Sequence, residues 1–444
     1  MGKITIHIGL DDTDSQRGMC TTYLTSLLIP KLLEEGAEFT DYPNLIRLNP
    51  NIPWKTRGNA AIALRLLVEE PKAIYERVVE GVEEYADVEC GSNPGVVMLK
   101  CSRVPDDVKR FGELALHQVV RKAEAKRLIH NHSGLYTAFG DGRGIVGALA
   151  AIGNTLQADH TYELIAYRPL KLRGRERGVD EDSVIQMSRE TYPQTFNNYD
   201  PEAGRVLITP RGPDPVLFGV RGEGAEAVLK AARMVKTSQP IERYTIFRTN
   251  QATGLHLTHP LELPLKPYHS GYLMGRVVGK PIAGRGGHIY FMVECGGVRV
   301  WCAAYEPSGG LRRVASRLMD GDLVEVGGGV RRRSVKHPAI VNVEYLKILK
   351  LTPNLHYRNP ICRLCGRRMV SEGRGKGYGC PHCGYRDRGA EKIPVEEERS
   401  ISLGLHLPPP RSQRHLTKPL QRFGREKKSY TPHLIPEWYG LGGP

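Results

Sequence analysis

A chain of 444 residues, 40% of them hydrophobic, is long enough for about three domains, each with its own core. Lysine and arginine number 63 against 48 aspartates and glutamates, and the net charge of +15 favours a polyanionic partner, nucleic acid above all. No stretch approaches the ~20 consecutive apolar residues of a spanning helix, and Asp11 and Asp12 follow too closely on the first apolar strand for a signal peptide, so the expected setting is the cytoplasm, with no membrane.

Ile4, Ile6, Ile8 and Leu10 alternate with Thr5, His7 and Gly9, the period of a half-buried strand. Its carboxyl end carries Asp11-Asp12-Thr13-Asp14-Ser15-Gln16-Arg17-Gly18-Met19-Cys20-Thr21-Thr22, and Tyr23, Leu24, Leu27, Leu28, Leu32 and Leu33 then recur at helical spacing. Thr21 and Thr22 therefore fall near a helix N-terminus, where unpaired N–H groups and the dipole favour phosphate. Three aspartates within four residues repel one another unless a cation is present, so the cluster predicts a Mg2+–ATP site rather than only an aspartate-rich helix cap.

Further along, 44–50 and 59–68 read as strands, 71–87 as a helix and 94–101 as a strand, completing β-α-β-β-α-β order. An amphipathic helix over 105–128 and a short apolar one over 143–153 close a first domain at 1–155. The order recurs in strand 161–168, helix 181–190, strands 204–208 and 215–220, helix 223–235 and strand 241–248, a second, ferredoxin-like domain at 156–250. Pro260, Pro264 and Pro267 mark a linker. Five short strands from Tyr272 to Leu349, with a helix over Leu311–Met319 between the third and fourth, predict an OB-fold β-barrel for RNA within 251–352.

Cys362-x-x-Cys365-Gly and Cys380-x-x-Cys383-Gly form two knuckles separated by 14 residues. Each supplies two thiolates from one tight turn, and four thiolates fill a zinc coordination sphere, so Zn2+ at these positions is structural, in a ribbon spanning 353–390. The remaining segment, 391–444, is read as a basic tail that either tracks phosphates or keeps the chain soluble, with Phe423, Tyr430, Trp438 and Tyr439 as surfaces for base stacking.

Four more segments are candidates. The glycine-rich Gly140–Ala148 run, with Gly142, Arg143 and Gly144, enters the short apolar helix and can present N–H groups to phosphate. Lys55, Thr56 and Arg57 add positive charge to the same pocket, and Arg17 is a further partner for ATP phosphates together with Thr22. Asn197-Asn198-Tyr199-Asp200 and Arg248-Thr249-Asn250-Gln251 are polar clusters suited either to a small polar substrate or to turn formation.

These motifs, taken in order, resemble the archaeal tRNA(Ile) 2-agmatinylcytidine synthetases over nearly the whole length. The resemblance implies a multidomain α+β chain with an α/β kinase-like domain, a ferredoxin-like domain, an OB-fold and a zinc ribbon. It implies an enzyme that joins agmatine to carbon 2 of the wobble cytidine in the CAU-anticodon isoleucine tRNA, converting ATP to AMP and phosphate, so that AUA is read as isoleucine. It also implies that the threonine after Gly-Met-Cys, here Thr21, is autophosphorylated, with no obligate protein partner. The chemistry suits the residues. Oxide is too poor a leaving group for an amine to displace, so the cytosine oxygen must first be phosphorylated. Asp11, Asp12 and Asp14, assisted by Arg17 or Arg57, are the groups for phosphoryl transfer. The agmatine guanidinium needs carboxylate or carbonyl oxygens, for which Asp200 is the nominee. The principal alternative is a non-enzymatic OB-fold/zinc-ribbon RNA-binding protein, which leaves the aspartate cluster unexplained. An ATP-dependent nucleic-acid ligase or nucleotidyltransferase of another kind is a second, without a recognisable adenylation lysine.

Overall fold

The computed structural model describes residues 2–15, 17–55, 57–335 and 337–444; Gln16 and Thr56, both within the motifs above, lie outside the described residues. The first unit runs β1 (Ile4–Asp11), α1 (Thr21–Glu34), β2 (Glu38–Phe39), β3 (Asn44–Arg47), β4 (Ala60–Val68), α2 (Pro71–Tyr85) and β5 (Gly95–Lys100). It continues with α3 (Asp106–His117), α4 (Lys122–Asn131), β6 (Leu135–Ala138) and α5 (Gly144–Gly153). The single helix expected over 105–128 is thus two helices, and β6 was not anticipated, because its residues are largely exposed and carry little apolar alternation.

The two faces of β1 explain the layering. Ile6, Ile8 and Leu10 are fully buried in a core shared with α1 and α2. His7, Gly9 and Asp11 face the other way, toward α5. A Cβ on Gly9 would lie 2.0 Å from the carbonyl oxygen of Ala148, and one on Gly95 would lie 2.1 Å from the Ile145 nitrogen. The small residues of α5 and these glycines let helix and strand backbones touch, a contact that any side chain would prevent.

The second unit comprises β7 (Thr161–Tyr167), α6 (Glu181–Glu190), β8 (Thr195–Phe196), β9 (Tyr199–Asp200), β10 (Arg205–Val206), β11 (Val216–Gly222), α7 (Ala225–Met234) and β12 (Arg243–Thr249). The two units share one sheet of order β6-β5-β1-β4-β3-β12-β7-β11-β8. Within it β5-β1-β4-β3 and β12-β7-β11-β8 are both the antiparallel 4-1-3-2 order of a ferredoxin-like fold. They join through a short parallel contact of Arg248 and Thr249 with Asn44 and Leu45.

The barrel contains β13 (Ser270–Ala283), β14 (Ile289–Cys295), β15 (Val298–Ala304), α8 (Gly310–Ala315), β16 (Leu323–Arg331) and β17 (Ile340–Lys350). Antiparallel neighbours plus the parallel β15–β17 closure give the OB-fold order, with α8 between the third and fourth strands as the sequence predicts. The helix ends at Ala315, short of the expected Met319. Beyond it, β18 (Asn354–Arg358) leads to the small strands β19 (Val370–Ser371), β20 (Tyr378–Gly379) and β21 (Arg386–Asp387), and β22 (Ile393–Glu397) returns to pair with β18.

The last segment is not a free tail. β23 (Gly404–His406) adds to the barrel at β17, and β24 (Tyr439–Leu441) adds to β12. Several of its cations are consumed internally: Arg411 pairs with Asp200 at 2.8 Å, Arg414 with Glu344 at 3.3 Å, and the fully buried Arg422 with both Asp159 at 2.8 Å and Glu223 at 2.7 Å. Tyr430 lies 3.5 Å from the Arg248 guanidinium and Trp438 is buried against the second unit, so neither is a surface for bases. Positive charge counted along the sequence overlooked the carboxylates that other elements bring to it.

Candidate active site

Asp11, at the end of β1, and Asp12 and Asp14, in the turn after it, line one cavity of about 520 Å3 together with Thr21. Lys55, Lys122 and Arg143 line it too, Arg143 paired with Asp141 at 2.6 Å, and its apolar lining includes Leu48, Ile52, Trp54, Val119, Val120 and Val146. Carboxylates, cations and apolar surface in one cavity suit a metal-bound nucleotide, whose base is aromatic and whose phosphates need neutralising.

Gly147 of α5 makes room for Asp11: a Cβ there would lie 1.8 Å from the carboxylate oxygen. Burial, with the charges of Asp12 and Asp14 added, pushes the Asp11 carboxyl well above the usual carboxylate range. Asp12 takes a left-handed backbone, φ 56°, and accepts from the Asn93 N–H at 3.2 Å.

Asp14 reaches the first residue of α1. One of its oxygens accepts the Thr21 N–H at 2.7 Å and the Thr21 hydroxyl at 3.2 Å, while Thr13 donates to that hydroxyl at 3.0 Å. Asp14 therefore caps the helix, and the Thr21 hydroxyl points its proton at a carboxylate. Burial raises the Asp14 carboxyl, partly offset by Arg57 and by the Thr21 bonds, so it holds a proton more readily than an ordinary aspartate. The neighbouring Cys20 thiol is pushed up to about 12 by burial and by Asp14, which leaves it protonated and a poor nucleophile.

Thr21 and Asp14 also border a second cavity, of about 410 Å3, lying between the two ferredoxin-like units. Thr22, Arg47, Arg57, Glu163, Asp214, Arg221 and His415 line it. Arg57, with a left-handed backbone of φ 48°, binds Asp214 at 3.1 Å and the Ser15 carbonyl at 2.9 Å. The Arg248–Gln251 cluster is structural support for this wall. Asn250 exchanges two bonds with the Arg47 backbone, at 2.8 and 2.9 Å, and Gln251 accepts from the Arg47 side chain at 3.2 Å.

The remaining sequence candidates are more dispersed. Arg57 and Thr22 border the second cavity, and Arg143 the first. Gly142 has φ 70° and Gly144 donates to the Asn93 carbonyl at 3.0 Å, so these two shape the loop behind Arg143. Arg17 is exposed, 3.9 Å from Asp87, and lines neither cavity. Asp200 is fully buried, and its oxygens are taken by Arg411 and by the N–H groups of Glu202 and Ala203 at 3.0 and 3.3 Å. Burial acts to raise its carboxyl, but the Arg411 bond and charge outweigh it and hold the carboxyl below its usual value. It is an internal ion pair rather than a lining group. Lys122, Asn93, Glu163, Asp214 and His415 were missed, since each comes from an element remote in sequence and has no local motif.

The four cysteines converge as their spacing requires. All four sulfurs lie within 4.8 Å of one another, with Cys362–Cys383 at 3.5 Å and Cys365–Cys380 at 3.4 Å. A tetrahedral ion with Zn–S bonds of about 2.3 Å separates its ligands by about 3.8 Å, which this cluster accommodates. Gly366 and Gly384, at φ 70° and 75°, donate back to the Cys362 and Cys380 carbonyls at 2.9 and 3.0 Å, so the two knuckles are built alike.

An α+β chain with a carboxylate-lined nucleotide cavity, an OB barrel and a four-cysteine ribbon belongs among RNA-directed, nucleotide-using proteins. Three family models match it: the TiaS TCKD domain over residues 7–139, the TiaS FLD domain over 142–256 and the TiaS C-terminal zinc ribbon domain over 359–401. The chain belongs to the TiaS family, the tRNA(Ile) 2-agmatinylcytidine synthetases. It is 42% identical to the synthetase TiaS of Cenarchaeum symbiosum over 438 residues, covering 98% of this chain and 96% of the relative. A crystal structure of TiaS with its isoleucine tRNA and ATP superposes with a TM-score of 0.84 at 40% identity, covering 94% of this chain and 97% of that one. A complex of TiaS with the same tRNA, AMPCPP and agmatine gives 0.82 at 37% identity, with the same coverage.

Proposed function

We propose that this chain is the ATP-dependent ligase that attaches agmatine to carbon 2 of the wobble cytidine of the CAU-anticodon isoleucine tRNA, converting ATP to AMP and phosphate. The observation that carries this reading is the convergence of Asp11, Asp12, Asp14 and Thr21 on one cavity in a chain of this family. The proposed setting is the cytoplasm, where the tRNA substrate is found. No helix among the described residues is long and apolar enough to cross a membrane.

The first cavity takes ATP, with Lys55, Lys122 and Arg143 toward its phosphates. Asp11, Asp12 and Asp14 suit Mg2+: the Asp11 carboxyl is raised first by burial and then by the charges of Asp12 and Asp14, and a cation held by the three would offset both. When bound, such an ion neutralises phosphate charge. Thr21 is the acceptor for a phosphoryl group. Its hydroxyl oxygen attacks phosphorus as the bond to the departing nucleotide breaks, and Asp14, already hydrogen-bonded to that hydroxyl, takes the proton. Because AMP is the product, two anhydride bonds of ATP break: a second phosphoryl group goes to the cytosine oxygen and makes a competent leaving group, the agmatine amine displaces it from carbon 2 as inorganic phosphate, and the group on Thr21 is released by hydrolysis. Agmatine occupies the second cavity beside Thr21, where its guanidinium would have to exchange with the arginines already paired to the carboxylates, Arg221 on Glu163 and Arg57 and Arg177 on Asp214. The zinc ribbon and OB barrel hold tRNA, and the cytidine flips out of its loop at modest cost.

The test is direct. Purified protein given a transcript of the CAU-anticodon isoleucine tRNA, ATP and agmatine should yield AMP and a nucleoside whose mass gain matches agmatine less water. RNA binding with no ATP consumption would instead support the non-enzymatic reading.

A further inference from the structure

Residues 402–444, beyond the reach of the three family models, form a strap that binds the barrel and both ferredoxin-like units, and at one point the strap enters the second cavity. That point is His415. Its backbone is fixed where Ala252 donates to its carbonyl at 2.8 Å and Gly254 donates to the Leu416 carbonyl at 2.7 Å. The preceding Arg414 is anchored by Glu344 at 3.3 Å and by the Pro50 carbonyl at 3.1 Å.

The Arg221 guanidinium lies 3.0 Å from His415 Nδ1. A guanidinium only donates, so Nδ1 must accept, and the ring proton is left on Nε2. Among the described residues Nε2 has no hydrogen-bond partner, although the ring lines the cavity. Gly58 gives the ring its place: a Cβ there would lie 3.2 Å from His415 Nε2 and 2.7 Å from Arg47. Burial, and after it the charges of Arg47 and Arg221, lower the imidazole pKa well below the usual value and hold the ring neutral.

We infer that His415 is a substrate-contacting hydrogen-bond donor of the second cavity, its Nε2–H directed at an acceptor-rich group: the cytosine oxygen or the phosphoryl group it carries. Agmatine is not the partner: its guanidinium offers no acceptor, and its reacting amine needs its lone pair for carbon 2. A fixed neutral donor beside Arg47 and Arg57 stabilises charge that develops on that oxygen as phosphate arrives or departs. The inference rests on the ligase reading above and adds to it a group from the C-terminal strap.

Two substitutions separate contact from scaffolding. In His415→Asn the amide takes the place of Nδ1 and keeps a partner for Arg221, but nothing replaces Nε2–H. In His415→Gln the amide reaches the Nε2 position. Agmatine transfer to the isoleucine tRNA transcript is measured by nucleoside mass analysis, with thermal melting alongside. We expect His415→Asn to lower kcat by about 10- to 100-fold with the agmatine KM unchanged, and His415→Gln to stay within about threefold of the wild type. A fully active His415→Asn, a defect confined to the agmatine KM, or equal loss in both variants would overturn the role. If the wild-type protein forms no product, the ligase reading fails, and this role with it.

Discussion

Thr21 is where the proposed chemistry is most sharply localised. Its hydroxyl sits between Thr13 and Asp14, and losing it removes two hydrogen bonds that contribute about 1 kcal/mol each to stability. Thr21→Ala should therefore remain folded while agmatine transfer falls by about 100-fold or more, and Thr21→Ser should recover most of it. Phosphopeptide mapping under turnover should place phosphate on Thr21 and not on Thr22, and a fully active alanine variant would reduce Thr21 to a packing residue. A second residue-scale expectation concerns acid. Burial and the neighbouring Arg65 lower the His7 imidazole to about 3, and burial, with other nearby histidines, lowers His117 to about 4. Both are held neutral, so the unfolded chain binds more protons between about pH 6.5 and those values. Stability should thus be full above pH 6.5 and fall as the pH drops, with His7 contributing about 1.4 kcal/mol per pH unit until its folded value is reached. His7→Gln should flatten the slope of urea-derived stability against pH between 6 and 4; an unchanged slope would remove His7 from the explanation.

At the scale of elements, the decisive contact is α5 lying against β1. Gly9 and Gly147 are the positions where helix and strand come within reach of each other and of Asp11. Gly147→Ala should destabilise the protein by about 1–3 kcal/mol and abolish ATP turnover, because the added methyl group displaces the Asp11 carboxylate. Calorimetry and AMP formation measure the two effects, and wild-type turnover in this variant would show that Asp11 is not needed where it stands. The ribbon is the other separable element. Its small core, Cys362, Met369 and Cys380, cannot hold it together without metal. Cys380→Ala should lose one equivalent of zinc by elemental analysis and weaken tRNA binding, while ATP binding in the N-terminal cavity persists.

For the whole molecule, the strap is what ties the barrel and the two ferredoxin-like units together. Arg422 is fully buried, with Asp159 and Glu223 as its partners. Replacing it by methionine removes the guanidinium that both carboxylates share and leaves Asp159 with Lys418 at 3.8 Å and Glu223 with Lys427 at 3.1 Å, so the cost should lie at or below the about 3–5 kcal/mol of a broken buried pair. Urea unfolding should show that loss in Arg422→Met, and a double substitution that also changes Asp159→Asn should recover part of it. The strap covers the junction that needs it most, since β3 meets β12 only at Arg248 and Thr249, and β24 pairs with the rest of β12 from Arg243 to Thr245.

What the amino-acid order determined by itself was local. The alternation in β1, the helix after Thr21, the five barrel strands and the paired cysteine knuckles were legible because periodicity and short spacing act over a few residues. The convergence of Asp11, Asp12, Asp14 and Thr21 was legible for the same reason, as they lie within one turn. Only the tertiary structure decided that two ferredoxin-like units fuse edge to edge, that Asp200 is spent on Arg411 and that a basic C-terminal segment is a strap. It alone brought His415 to the second cavity. Those outcomes depend on which partners, some 200 or more residues away, meet a charge or a strand edge, as Asp200 does at Arg411 and Glu163 beside His415. Neither composition nor period carries that information, because an ion pair is defined by two positions and a sheet edge by a whole neighbouring unit.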